Sequence, residues 1–187
     1  LTRRVLAPVD TFIAQSAVVR DDLLKFRPDA EFREIPHPVY SIFPPGHGRE
    51  EARRRLGVTT RRVVLFFGFI RAYKGLLNLI RAMGRLDPAL DVGLLVGGEF
   101  YEDDAPYKQE AEKVAATAHV FWHDRYIPNE EVGDFFAAAD VVALPYQSAT
   151  QSGIVQIAMN YGLPILITDV GGLPEVDENL FAFAMHH

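Results

Sequence analysis

The stretch VVLFFGFIRAYKGLLNLIRAMGRL, residues 63–86, is the best guide to the fold of this chain. It begins with an uninterrupted apolar run, Val63–Phe67, which is typical of a strand covered on both faces of its sheet. The loop Gly68–Gly75 follows, and the spacing of apolar residues then predicts a helix over Leu76–Leu86. A strand, a short loop and a helix in succession indicate the right-handed crossover of a parallel sheet.

The same alternation continues downstream, so the predicted fold class is α/β with a doubly wound, Rossmann-like parallel sheet. Further strands are predicted at Val92–Val96, Val120–Trp122, Val141–Leu144 and Ile165–Thr168, the last of the series. The helices between them are predicted at Tyr107–Ala118, Glu130–Ala139 and Gly153–Tyr161. Upstream, the pattern predicts strands at Phe12–Ala14 and Phe32–Ile35, helices from Ser16 to Lys25 and over Glu50–Leu56, and a linker at Ser41–Gly48.

Composition excludes several classes of function. The chain has 187 residues, a hydrophobic fraction of 49% and a net charge of −6, which suits a globular domain and argues against nucleic acid as the main partner. It has no cysteine, which excludes thiol catalysis and thiolate zinc sites and is compatible with a reducing cytoplasm. The histidines show no metal-binding spacing, and no apolar run is long enough to cross a membrane.

Ligands of such sheets bind beyond the carboxyl ends of the strands, so the loops that follow strands are the candidate site. In the first of these loops, Arg71 and Lys74 place two cations beside the start of a helix, and Gly68 permits tight backbone geometry. Such a loop suits a diphosphate, although two solvated loop charges are the alternative. It matches neither the Walker phosphate loop nor the dinucleotide fingerprint.

Three further loops strengthen this interpretation. Gly97, Gly98 and Glu99 follow the second strand, where the glycines allow close approach and Glu99 could accept sugar or ribose hydroxyls; an ordinary turn is the alternative. The uncharged loop Pro145–Gly153 leads into the next helix. It offers the backbone N–H groups of Ser152, Gly153 and Ile154 to a phosphate, with Thr150 and Gln151 beside them; simple capping of that helix is the alternative. A fourth, glycine-rich loop is Val170–Glu175. Together the four loops predict a nucleotide or sugar-phosphate site.

The chain resembles the C-terminal domain of family 4 glycosyltransferases, which have the two-domain GT-B architecture. The resemblance covers roughly residues 60–176 and lies in three stretches, GFIRAYKG (68–75), AAADVVALPY (137–146) and SGIVQIAMNYGLPILITDVGGLPE (152–175). It implies that residues 44–187 are the C-terminal half of a GT-B fold, and that residues 1–43 are the tail of the N-terminal domain and its crossover.

The resemblance also implies a function and a set of site residues. The family transfers a sugar with retention from a nucleoside diphosphate to an acceptor hydroxyl. Arg71 and Lys74 match the basic pair that stabilises the departing diphosphate in place of a metal, so no cofactor is expected. Ser152, Gly153 and Ile154 match the helix start at the phosphates, and Tyr126 with Ile127 lies where the family brackets the base.

One departure from the family concerns its two glutamates beside this helix, of which the first lies near the sugar and the second near the ribose. No glutamate occurs between Pro145 and Gly162. Thr150 falls near the first position, and Gln156 or Ile157 falls on the second. A neutral amide can still bind hydroxyls, so sugar binding is compatible with this departure, but the departure leaves the roles of these positions and the choice of sugar open.

The acceptor site of the family lies largely on the N-terminal domain, so this chain alone is expected to bind a donor without turnover. The expected partners are a nucleotide sugar, an unidentified acceptor and an N-terminal domain. The longer protein that contains this chain is expected in the cytoplasm. Peripheral association with the inner face of the membrane is left open, because many relatives use lipid acceptors. Two alternatives remain: a GT-B epimerase or phosphorylase, and a non-catalytic module that binds nucleotide sugars.

Overall fold

The computed structural model describes residues 6–175 and the backbone of residues 182–185. Short 3-10 turns occupy Ala72–Lys74, Pro88–Leu90 and Leu173–Glu175. In chain order the strands and helices are β1 (Thr11–Ala14), α1 (Ala17–Phe26), β2 (Glu31–Glu34), α2 (Arg49–Arg55), β3 (Arg62–Phe67), α3 (Leu76–Met83), β4 (Val92–Gly97), α4 (Ala105–Val114), β5 (His119–His123), α5 (Asn129–Ala138), β6 (Val141–Leu144), α6 (Gly153–Asn160), β7 (Ile165–Thr168) and β8 (Ala182–Met185).

The larger sheet is parallel throughout and has the strand order β5-β4-β3-β6-β7-β8, which confirms the predicted doubly wound fold. The chain builds outward from β3 to β4 and β5, and then crosses to β6 on the other side of β3. The strand order therefore reverses between β3 and β6. A crevice opens at such a reversal beyond the carboxyl ends of the two strands, and ligands of this fold class bind there.

Both faces of this sheet are covered, as its continuous apolar strands predict. Successive residues of β3 enter different clusters, Leu65 and Phe67 on one face and Phe66 on the other. Helices α3 and α4 pack together over the face of Phe66, and α2 packs with α5 over the opposite face. None of the helices in the described part of the chain is long and apolar enough to cross a membrane.

Some element boundaries differ from the sequence prediction. Helix α3 ends at Met83, and Gly84 closes it by donating its N–H to the carbonyl of Ile80, so the expected end at Leu86 was wrong. Helix α4 begins and ends earlier than predicted, at Ala105 and Val114. Strand β8 was not predicted, because its assignment depends on pairing with β7 rather than on its own four residues.

The segment upstream of the larger sheet is joined to it by polar contacts. Strands β1 and β2 form a separate parallel pair. The carboxylate of Glu175 accepts hydrogen bonds from the backbone N–H groups of Ala17 (2.7 Å) and Val18 (3.2 Å), at the start of α1. The predicted linker, Ser41–Gly48, has no helix or strand but is packed, because the backbones of Gly46 and Gly133 in α5 approach too closely for any side chain.

Candidate functional site

The loops after β3 and β4 form one continuous backbone ladder beside the reversal point. Gly68 donates its N–H to the carbonyl of Gly97 (2.8 Å), and Ile70 donates to that of Glu99 (2.8 Å). Gly98 has a φ of 144°, and a Cβ there would overlap the carbonyl oxygen of Gly68. Only glycine fits this position, so the paired glycines are needed to bring the two loops together.

The loop after β3 is also fixed against the loop after β6. Gly75 has a φ of 73°, and a Cβ there would overlap the carbonyl oxygen of Pro145. Gln147 donates its N–H to the carbonyl of Tyr73 at 2.7 Å. The 3-10 turn between these contacts returns Lys74 toward Gly68, where its amine lies 3.6 Å from the point that a Cβ would occupy. The loops therefore aim this amine into the crevice.

The crevice holds a cavity of about 230 Å³, which we call the β3 cavity. It brings together seven of the predicted site residues from loops far apart in sequence. These are Gly68, Lys74, Gly98, Glu99, Tyr126, Ile127 and Ile154. Tyr126 is 63% exposed whereas Ile127 is buried, so the tyrosine ring is available to a ligand and the isoleucine supports the floor.

Lys74 has the electrostatic properties of a side chain that would bind an anion. Burial lowers the pKa of its amine to about 8, and the neighbouring charge of Arg71 lowers it in the same direction. The amine lies over the ring of Tyr146, at 5.6 Å from Nζ to the ring centroid. None of the described carboxylates pairs with Lys74 or with Arg71. A bound anion would relieve this repulsion between the two cations.

Arg71 lies at the rim rather than in the wall of the β3 cavity. Its side chain is exposed, and its guanidinium carbon lies 4.9 Å from the centroid of the Tyr101 ring. Tyr101 in turn contacts the ring of Phe69 edge to face, at 4.7 Å between centroids. The arginine is thus held on an aromatic surface with its N–H groups available.

The side chain of Ser152 caps the start of α6. Capping was the alternative interpretation of the loop before this helix. The Ser152 hydroxyl accepts from the N–H of Ile154 (3.3 Å) and lies 3.2 Å from the Tyr146 hydroxyl. Burial raises the pKa of Tyr146 to about 12, so this phenol stays neutral at physiological pH. The ring of Tyr40, from the upstream segment, packs beside Gly153. A phosphate role for the N–H groups of this helix start remains a prediction.

A second cavity, of about 420 Å³, lies between the upstream segment and α6, and we call it the crossover cavity. Three predicted residues line it, Gln151, Ser152 and Gln156. The amide oxygen of Gln156 is buried and has no hydrogen-bond partner among the described residues. An unpaired buried acceptor costs about 1–3 kcal/mol, so a ligand hydroxyl at this place would recover that cost. Thr150 is exposed and lines neither cavity.

Other residues at the two cavities were not predicted from the sequence. The upstream segment contributes Phe43 to the β3 cavity and Ser16 and His37 to the crossover cavity. No local motif marks these residues, because their position depends on how the upstream segment folds back. Asn129, the first residue of α5, also lines the β3 cavity. Helix starts at this edge of the sheet are expected to lie near the ligand, and this expectation could have identified Asn129.

Relatives of known sequence include several glycosyltransferases. The sequence profile of the family described as glycosyl transferases group 1 matches residues 61–184. Alpha-maltose-1-phosphate synthase of Mycolicibacterium smegmatis is 30% identical over 190 residues, covering 93% of this chain and 47% of that protein. D-inositol 3-phosphate glycosyltransferase of Corynebacterium glutamicum is 31% identical over 142 residues, covering 71% of this chain and 34% of that protein. The chain thus spans less than half the length of these relatives.

Solved structures of similar fold confirm the predicted GT-B architecture. WaaG, a glycosyltransferase involved in lipopolysaccharide biosynthesis, matches 94% of this chain and 49% of its own at a TM-score of 0.73 and 20% identity. HepE of Anabaena, in complex with UDP and glucose, matches 98% of this chain and 53% of its own at a TM-score of 0.70 and 19% identity. At such identities the likeness shows the fold alone.

Proposed function

The chain belongs to the group 1 glycosyltransferases, and from this membership we propose that it supplies the donor half of an enzyme that transfers a sugar from a nucleoside diphosphate to an acceptor hydroxyl. The observation that carries the proposal is the amine of Lys74, which the loops aim at the β3 cavity. It has no carboxylate partner among the described residues and has a pKa lowered to about 8 by burial and by Arg71. A diphosphate supplies the missing negative charge.

The proposed donor lies along the reversal point of the sheet. Its base contacts Tyr126 and Ile127, its ribose or sugar hydroxyls meet Glu99, and its diphosphate lies between Lys74 and the start of α6. In the transfer step the bond between the anomeric carbon and the phosphate oxygen breaks while the acceptor oxygen bonds to that carbon. The acceptor proton passes to the departing diphosphate. Lys74 and Arg71 stabilise the charge that develops there, which is the task of a metal in other glycosyltransferases.

Retention of anomeric configuration and independence of metal ions belong to the same proposal. Both follow from the family resemblance, and the two cations beside the cavity support the second of them. HepE, which shares the fold, is known in complex with UDP and glucose, and this supports a nucleoside-diphosphate sugar as the donor class.

We propose further that residues 44–187 are the donor-binding domain and residues 1–43 a tail and crossover of a second domain. The chain spans 47% of one relative and 34% of another, which leaves room for a domain that binds the acceptor. The contact of Glu175 with the start of α1 supports an arrangement in which the tail lies beside the donor loops. The chain by itself then binds a donor but does not transfer its sugar.

The proposal is tested by release of nucleoside diphosphate from UDP-, GDP- and ADP-sugars, using a longer protein that contains this chain. We expect release with one donor in the presence of a chelator, and a product with the donor's anomeric configuration by NMR. The variant Arg71→Ala/Lys74→Ala is expected to lose this activity while keeping its unfolding midpoint. Undiminished release by the variant would contradict the assignment of the two cations, and inverted product would contradict retention.

A further inference from the structure

We propose that Tyr101 is a positioning residue that holds Arg71 ready for the donor diphosphate. The inference rests on the proposed function, because it concerns how one of the two cations reaches its ligand. Tyr101 was not among the residues that the sequence pointed to, and it lines neither cavity. Its importance comes from its place on the ladder between the loops after β3 and β4.

The backbone ladder sets the two side chains beside each other. Ile70 and Phe100 form a parallel bridge, and Tyr101 donates its N–H to the carbonyl of Ile70 at 3.1 Å. In this register Arg71 lies opposite Tyr101. Because side chains of neighbouring strands alternate together between faces, the two residues share a face. The guanidinium therefore meets the ring at 4.9 Å as a consequence of the backbone pairing.

The Tyr101 ring has one ring contact of its own besides Arg71, and the residue before it is anchored by two further rings. Phe69, which lines the β3 cavity, contacts it edge to face at 4.7 Å between centroids. The preceding residue, Phe100, packs against the rings of Tyr107 and Trp122, at 5.3 and 6.0 Å between centroids. The ring is thus a fixed surface on an otherwise exposed loop, since Tyr101 itself is 55% exposed.

A cation held in this way keeps its hydrogen-bonding capacity. A cation–π contact uses the face of the guanidinium, whereas its N–H donors lie in the plane and remain free for a phosphate. An arginine held by a carboxylate would have to give up that partner before binding an anion. The aromatic ring restricts the side chain of Arg71 without competing for its donors, and this reduces the conformational entropy lost on binding.

The test is a double-mutant cycle with calorimetric titration of UDP, GDP and ADP into the chain, carried through with the nucleotide that binds most tightly. A cation–π contact at an exposed site predicts that Tyr101→Leu raises the Kd about two- to five-fold. Tyr101→Phe keeps the ring, so it is expected to retain the affinity that Tyr101→Leu loses. In an Arg71→Ala background, Tyr101→Leu is expected to have no further effect, because the cation that it holds is gone.

The outcomes separate this inference from the proposed function. If Arg71→Ala weakens binding but Tyr101→Leu has the same effect in both backgrounds, or none, then Tyr101 only supports the loop and the inference is wrong. If no nucleotide binds, or if Arg71→Ala leaves the Kd unchanged, the donor site itself is wrong and the inference falls with it. Unfolding midpoints of all five proteins, the wild type and the four variants, identify any variant whose loop has lost its structure.

Discussion

The lowered pKa of Lys74 predicts that donor binding weakens as the pH rises above 8. Burial and the charge of Arg71 lower the pKa of this amine to about 8 in the free protein. A diphosphate favours the charged amine and raises its pKa, so binding above pH 8 requires the uptake of a proton. Well below that pH the amine is already charged in the free protein, and its contribution to binding is present almost in full.

The size of the effect follows from the fraction of charged amine. With a pKa of about 8, the amine is roughly nine-tenths charged at pH 7 and roughly one-tenth charged at pH 9. The Kd for the nucleoside diphosphate is therefore expected to rise about tenfold between these two pH values. Tyr146, whose ring centroid lies 5.6 Å from this amine, has a pKa raised to about 12 by burial and does not titrate in this range.

The matched control is Lys74→Arg, which keeps the positive charge but has a side chain that stays protonated throughout the range. Titrations from pH 7 to 9, each in two buffers of different ionisation enthalpy, give both the Kd and the number of protons taken up. Ionisations of the ligand itself act equally on both proteins and cancel in the comparison. Equal pH dependence in the wild type and in Lys74→Arg, or a flat profile in both, would refute the reasoning.

Three other predictions concern single residues. Gly98→Ala, whose Cβ would overlap the Gly68 carbonyl, is expected to lower the free energy of unfolding by about 1–3 kcal/mol in urea titrations. Gly48→Ala, with open space around the added Cβ, serves as the control, and equal losses in both would contradict the steric argument. Gln156→Leu removes a buried oxygen that has no partner among the described residues. We therefore expect a free energy of unfolding about 1 kcal/mol higher without ligand, and weaker binding of nucleotide sugar. A less stable variant would argue against an unpaired oxygen. Asp134→Ala removes a buried carboxylate that accepts hydrogen bonds from the backbone N–H and the ring Nδ1 of His47, at 2.8 and 2.7 Å. We expect faster proteolysis within residues 41–48 of this variant. Unchanged cleavage would show that other contacts hold this segment.

Much of the fold could be predicted because its strands carry strong local signals. The run Val63–Phe67 is apolar on both faces, and it lies in β3 at the centre of the sheet. Helix α6 was predicted to begin at Gly153, and it does, because Ser152 caps it. Strand β8 could not be predicted, since its assignment depends on pairing with β7 rather than on its own composition.

The candidate site could be predicted only where a loop follows a strand directly. Gly68, Lys74 and Gly98 lie in such loops, and the structure brings them to one cavity. Phe43 reaches the same cavity from the linker, and its contact depends on tertiary packing that a sequence pattern does not encode. Tyr101 was missed for another reason, because its pairing with Arg71 arises from the backbone register between two loops and not from a local motif.

The most direct test of the donor site is a crystal structure of the chain with UDP, GDP or ADP, whichever binds most tightly. The account predicts diphosphate oxygens within hydrogen-bond distance of the Lys74 amine, with the Arg71 guanidinium turned toward them and the base against Tyr126. A diphosphate bound away from both cations, for example only in the crossover cavity, would contradict it.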